Sequence, residues 1–240
     1  MSQLAIIAVF CAYVAKGLCG FANTLVFSSI MSFQTNNINI SPVELVVGYP
    51  ANIILALREK KSISAKVCVP LSILVILGSI PGAIFLKNGN TQIIKVIFGI
   101  VVMLVGVEMF FRERQTKKRE TSPLLLATIG IISGILCGLF GVGALLAAYV
   151  SRTTQNSSEF RGNISVVFIV ENTFRILLYL GTGILKISLI KTAVALMPFM
   201  LLGLVIGVLL SKKIEENIVK KAVILMLIIS GGSLVLQNIA

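Results

Sequence analysis

The sequence contains no tryptophan and no histidine. Without histidine, a Ser-His nucleophile pair, a histidine metal site and the zinc-hydrolase helix signature are excluded. No glycine-rich loop ends in the Lys-Ser/Thr pair that cradles nucleotide phosphates, so ATP-driven transport within this chain is excluded as well. Charge is scarce. Only 12% of the 240 residues are charged, against about 25% in ordinary soluble domains, and nine of them are acidic. The four cysteines, Cys11, Cys19, Cys68 and Cys137, lie inside apolar stretches without metal-ligand spacing and read as small hydrophobes. The first apolar stretch lacks a basic run before it, since Lys16 falls after its first half, so no cleaved leader is expected.

What the sequence does have is apolar surface. Hydrophobic residues make up 57% of it, more than a water-soluble core can hide, so lipid is the expected solvent for much of the chain. The net charge of +12 would fit a nucleic-acid partner. Its distribution argues against one, because Lys and Arg cluster in short runs between apolar stretches, as in loops held on one face of a bilayer. The expected fold class is all-α, a polytopic helical membrane protein.

The apolar stretches run over 3–33, 42–57, 63–86, 91–111, 122–151, 163–180, 184–210 and 217–239. Ser41-Pro42-Val43-Glu44 reads as a helix start with a cap, a first-turn proline and a capping-box glutamate. Ser122-Pro123 opens the fifth stretch in the same manner, and Asn90 and Asn217 are placed to cap the fourth and eighth. Glu44 and Glu108, near helix ends, are expected to be solvated. Stretches 3–33 and 122–151 are too long: as single helices each would measure about 45 Å, against a hydrocarbon core of about 30 Å. Glycines interrupt both at mid-length, Gly17 and Gly20 in the first, Gly134, Gly138, Gly141 and Gly143 in the second. Each reads either as a tilted span or as a broken, re-entrant helix, which is tolerated only where protein or a wet cavity surrounds it.

The chain also repeats itself. Gly78, Gly82, Ile93, Lys95 and Gly106 recur at one spacing as Gly203, Gly207, Ile218, Lys220 and Gly231. Gly17 and Gly20 fall on Gly138 and Gly141, although a three-residue slip would align Leu18-Cys19-Gly20 with Leu136-Cys137-Gly138 instead. Asn52 matches Asn172 if the loops differ by a residue. The division is a first transmembrane repeat, 1–111, a basic cytoplasmic linker, 112–121, and a second repeat, 122–240. If the two long stretches re-enter, the loop after Leu57, the runs 112–119 and 212–221 and the loop 152–161 share one face and carry most of the Lys and Arg. The other face holds Lys87, Lys95, Lys186 and Lys191. Positive-inside behaviour favours this parse. It makes the two four-segment repeats inverted and puts both termini outside the cytoplasm.

Few side chains remain to carry chemistry. A broken helix offers free N–H groups and a positive dipole end, and two such ends could share an anion; the alternative is that the glycines only allow close helix packing. Charge at membrane depth is expensive, about 2.5–3.5 kcal/mol each. Lys16, just before the first break, either balances an anionic solute or snorkels to an interface. Glu171 and Arg175 share a helix face four residues apart, as a structural pair or a proton- or substrate-linked one. Asn52 and Asn172 either bridge helices or point at a ligand.

The segment Gly134-Ile-Leu-Cys-Gly138-Leu-Phe-Gly141-Val-Gly143 resembles the glycine signature of the sulfite exporter TauE/SafE family, which stands near the start of each half of a duplicated protein. Gly207 through Asn217, and Val219-Lys220 to Gly231, resemble the end of the family's repeat. The resemblance implies transport of sulfite, sulfonates, sulfoacetate-like or other small organic anions, with no bound cofactor; the cysteine spacing and the lack of histidine argue against a metal. The chain departs from the pattern at Gly20-Phe21-Ala22-Asn23, which lacks glycines the family keeps, and at Gly143-Ala144. Those departures bear on the substrate more than on the fold. Asn23 supplies an amide to a ligand or caps the second half-helix.

The expectation is a secondary transporter of a small anion in the plasma (inner) membrane, and not an enzyme. Gly20, Gly138, Gly141 and Gly143, with Lys16, Asn23, Asn52, Asn172 and Arg175, are the expected solute contacts. Glu171 is the candidate for proton coupling. The lipid bilayer is the other partner, and a homo-oligomer is left open. A passive anion channel and a non-transporting membrane subunit are the alternatives.

Overall fold

The computed structural model describes residues 2–112 and 123–211, and beyond them 213, 221, 224, 225, 228, 229, 231, 232, 235, 236 and 238. The basic linker after Arg112, the cap expected at Asn217 and the side chain of Glu108 lie outside the described residues. Among those residues the regular structure is helical: α1 (Gln3–Cys19), α2 (Asn23–Met31), α3 (Asn37–Arg58), a short 3-10 turn (Lys60–Ser62), α4 (Ala65–Asn88), α5 (Thr91–Arg112), α6 (Pro123–Phe140), α7 (Ala144–Thr153), α8 (Ser157–Thr182) and α9 (Ile187–Leu210). Four of these, α3, α4, α8 and α9, are long and apolar enough to cross a membrane.

The long stretches are broken, as their length and glycines imply. Stretch 3–33 divides into α1 and α2 at Gly20–Ala22, and stretch 122–151 into α6 and α7 at Gly141–Gly143. Local chemistry sets most other boundaries. The Ser2 hydroxyl accepts from the Ala5 N–H and starts α1. Asn90 Oδ1 accepts from the N–H groups of Gln92 and Ile93 and opens α5, as its position predicts. Asn156 caps α8 through the Glu159 N–H, and Glu159 reaches back to the Gln155 N–H.

One boundary differs. α3 begins at Asn37, after Asn36 in extended conformation, and runs through Pro42 and Pro50. The Ser41-Pro42 pair therefore lies inside the helix and is not its start. Lacking an N–H, Pro42 leaves the carbonyl four residues back without its helical donor. The helix continues because α8 and α9 pack along it, making it the most enclosed of the four spanning helices. Glu44 consequently lies two turns inside the helix and is buried, not solvated at its end.

The two halves exchange packing partners: α1 lies against α9, and α6 against α4. Both seams are lined by glycine, so the backbones approach closely. A Cβ on Gly17 would lie 2.7 Å from the Leu204 carbonyl, and one on Gly203 would lie 2.6 Å from that of Phe10. In the other seam Gly78 meets Ile131 and Gly134, and Gly82 meets Ile135 and Gly138. Gly203 and Gly207 meet Phe10, Val14 and Gly17, which stand to Ile131, Ile135 and Gly138 at one constant spacing along the chain. The same spacing takes Gly20 to Gly141, so these contacts follow the first alignment and not the three-residue slip. Outward, Val69, Ile73, Leu77, Ile80 and Ile84 form an exposed apolar stripe along α4 at helical spacing, the surface that lipid tails cover.

Candidate functional site

The site is built around the two helix breaks. α1 ends on Gly20 with φ +82°, whose N–H donates to the Lys16 carbonyl at 2.7 Å. α6 ends on Gly141 with φ +73°, whose N–H donates to the Cys137 carbonyl at 2.8 Å. Both breaks use glycine's freedom in the left-handed region. Ala22 takes φ +76° without that freedom, a conformation that disfavours a Cβ by about 1–2 kcal/mol. Among the described residues no N-cap side chain bonds the start of α2 or α7, so their first N–H groups are not taken up by a capping oxygen there. Residues 21–25 at the start of α2, and Gly143 and Ala144 at the start of α7, line one cavity of about 10 Å³ with Phe168.

A second cavity of the same volume shares Asn23, Thr24 and Phe168 with the first. It adds Lys16, Glu44, Asn52, Gly141, Asn172 and Arg175. Lys16 Nζ donates to Asn52 Oδ1 at 2.7 Å and to Asn23 Oδ1 at 3.0 Å, and lies 5.7 Å from the centre of the Phe168 ring. The Asn23 amide then donates through Nδ2 to Glu44 Oε1. Asn23 thus links an ammonium on α1 to a carboxylate on α3. On the far side Arg175 Nε lies 3.3 Å from Glu171 Oε1. One terminal nitrogen of its guanidinium donates to Asn172 Oδ1 at 3.1 Å and the other to the Cys137 carbonyl. The break at Gly141 joins the two sides: a Cβ there would sit 3.1 Å from Arg175 Nη1 and 3.3 Å from Glu44 Oε2.

Lys16, Glu44, Glu171 and Arg175 are each at most 3% exposed and are the four buried charged residues among those described. Two cations and two carboxylates, brought from α1, α3 and α8, therefore meet where α1–α2 and α6–α7 are interrupted. Charges are retained at such depth when they pair or handle a solute.

The family model of the sulfite exporters TauE/SafE matches residues 5–234. The chain belongs to the sulfite exporter TauE/SafE family. It is accordingly a multi-pass membrane transporter, and the family's members are transporters rather than enzymes. No curated protein and no solved structure matches it.

Within this TauE/SafE chain the expected solute contacts divide into three groups. Lys16, Asn23, Asn52, Gly141, Asn172 and Arg175 line the second cavity. Gly143 lines its neighbour, with the Phe168 ring against it. Gly20 and Gly138 face elsewhere. Gly20 lies against the Arg161 side chain, and Gly138 packs on Ser79 and Ala83, its carbonyl accepting from Tyr179 at 2.7 Å. Lys16 is turned inward to the asparagines and does not snorkel. Asn23 is the first residue of α2 and caps nothing; its amide bridges Lys16 and Glu44. Glu171 and Arg175 form the four-apart pair that their spacing predicts.

The sequence places Glu44 at a solvated helix end and gives no sign of Thr24, Tyr13 or Phe168 as site residues. A Cβ at Gly48 would lie 3.1 Å from Glu44 Oε1 and 3.2 Å from the Tyr13 hydroxyl, so these two groups approach the same spot. The signal for Glu44 was its spacing: Glu44, Gly48 and Asn52 recur every four residues and so share a helix face.

Proposed function

We propose that this transporter carries a small anion, sulfite, a sulfonate or a related organic acid, across the plasma (inner) membrane by alternating access. One observation carries the reading: two buried cations and the uncapped starts of two half-helices surround a pair of adjoining cavities. Lys16 and Arg175 supply positive charge, Asn23, Asn52 and Asn172 supply amides, and the first N–H groups of α2 and α7 supply donors that need no side chain. An oxyanion with several acceptor oxygens fits such a donor set.

Each cavity has room for about one water molecule, so a sulfite can enter only after the site widens. That favours a rearranging carrier over an open anion pore and supports alternating access. In this reading the two repeats are inverted, the basic loops face the cytoplasm and both termini lie on the other side. No cofactor or metal takes part.

The test is sulfite and sulfonate uptake by purified protein in liposomes. Saturable uptake, with counterflow of labelled sulfite against internal unlabelled sulfite, is the expected result. Non-saturating flux without counterflow would make the protein a channel. The absence of any anion flux above empty liposomes would end the transport reading and leave a membrane subunit.

A further inference from the structure

The charges in the site do not pair evenly. Arg175 has Glu171 at 3.3 Å. Neither Lys16 nor Glu44 has an ion-pair partner within 4.0 Å among the described residues. The Asn23 amide stands between them, accepting from the ammonium and donating to the carboxylate. Glu44 is faced by Lys16 and Tyr13 from α1, by Asn23 and Thr24 from α2, by Arg175 and Glu171 from α8, and by Cys137 and the Gly141 break at the end of α6. With all four groups ionised the site is neutral. A singly charged anion, hydrogensulfite or a sulfonate, bound beside Lys16 and Arg175 would leave one uncompensated negative charge in a water-poor interior, where a lone charge is strongly disfavoured. It would also compete with Glu44 for the same two cations.

Both difficulties vanish if a proton arrives with the anion. Resting on the transport reading above, we infer that Glu44 is the proton-coupling residue: its carboxylate holds the place of the anion between Lys16 and Arg175, and binding of the anion goes with protonation of Glu44. Anion and proton then enter together and leave together, and the site's net charge does not change. Glu171 is the poorer carrier, because releasing it would strip Arg175 of its direct ion-pair partner. The sign follows: sulfite binds more tightly as pH falls, because the protonated carboxyl no longer competes.

The experiment compares wild type with Glu44→Gln in liposomes, with sulfite as the probe. Protons moved per sulfite are read with a pH dye, and half-saturating sulfite is measured at several pH values. Sulfite's own titration contributes equally to both proteins and cancels in their difference. For wild type, an acid-outside gradient should drive accumulation at least tenfold above that without a gradient. For Glu44→Gln, that accumulation should fall at least tenfold, about one proton fewer should move per sulfite, and the pH slope of half-saturation should flatten. Equal proton ratios, or an unchanged pH slope in Glu44→Gln, would overturn the assignment while leaving the transport reading intact. Should Glu44→Gln fail to fold, wild type decides alone: sulfite flux with no response to the pH gradient overturns the coupling. If wild type carries no anion at all, the transport reading fails first and takes this inference with it.

Discussion

Lys16 is the residue whose neighbours most constrain its role. Its ammonium rests on two amide oxygens with no carboxylate in contact among the described residues, so an incoming anion meets a cation that is hydrogen-bonded but not neutralised. Lys16→Met keeps the length and removes the charge. Hydrogen bonds to charged groups are worth about 1.5–3 kcal/mol, so sulfite uptake should fall about tenfold to a hundredfold, measured as initial rate per inserted protein. Arg175 presents the opposite case, one planar group holding Glu171, Asn172 and the Cys137 carbonyl at once. A lysine cannot reproduce that fork. Arg175→Lys should therefore slow uptake at least tenfold although the charge is kept, and Arg175→Ala should also lower thermal stability by leaving Glu171 unpaired, about 3–5 kcal/mol. Ala22 tests the break itself: Ala22→Gly should stabilise the protein by about 1–2 kcal/mol, seen as a higher melting midpoint, because glycine adopts its φ of +76° freely.

At the scale of helices, the glycine seams hold the fold. Gly17→Leu would drive a side chain into the backbone at Leu204 and Val208. Overpacking of that kind costs about 1–3 kcal/mol or more, and the yield of folded protein in detergent should drop sharply. Gly181, with nothing within 4 Å of its Cβ position among the described residues, is the control: Gly181→Ala should leave yield unchanged. The breaks between α1 and α2 and between α6 and α7 were legible in the sequence because excess length and mid-segment glycines coincide there. The start of α3 was not, because Ser41-Pro42-Val43-Glu44 carries every local mark of a helix start while the packing of α8 and α9 extends the helix a turn and a half earlier. That error also hid Glu44, since a glutamate at a helix start is ordinarily solvated and one two turns inside is not. Lys16, Asn23, Asn52, Asn172 and Arg175 were legible because polar side chains stand out in apolar stretches. Their mutual pairing was not, because it depends on how α1, α3 and α8 rotate against one another, which no spacing within one helix specifies.

For the molecule as a whole, the distribution of Lys and Arg makes a directional prediction. In a cysteine-free background, Lys60→Cys should react with an impermeant maleimide only when the cytoplasmic face is open to it, and Lys186→Cys only from the opposite side. Reaction of both from one side would discard the inverted arrangement and with it the proposed orientation of the termini.

The exchange of partners across the seams also decides which parts of the machine can travel together. Since α1 packs along α9 and α6 along α4, the stretches on either side of the linker share their packing. The proposed alternating access would carry α1 along with α9 and α6 along with α4, so each travelling body would mix early and late sequence. A gene split within the linker should accordingly give two fragments that are degraded when made singly and recover sulfite uptake when made in the same cell.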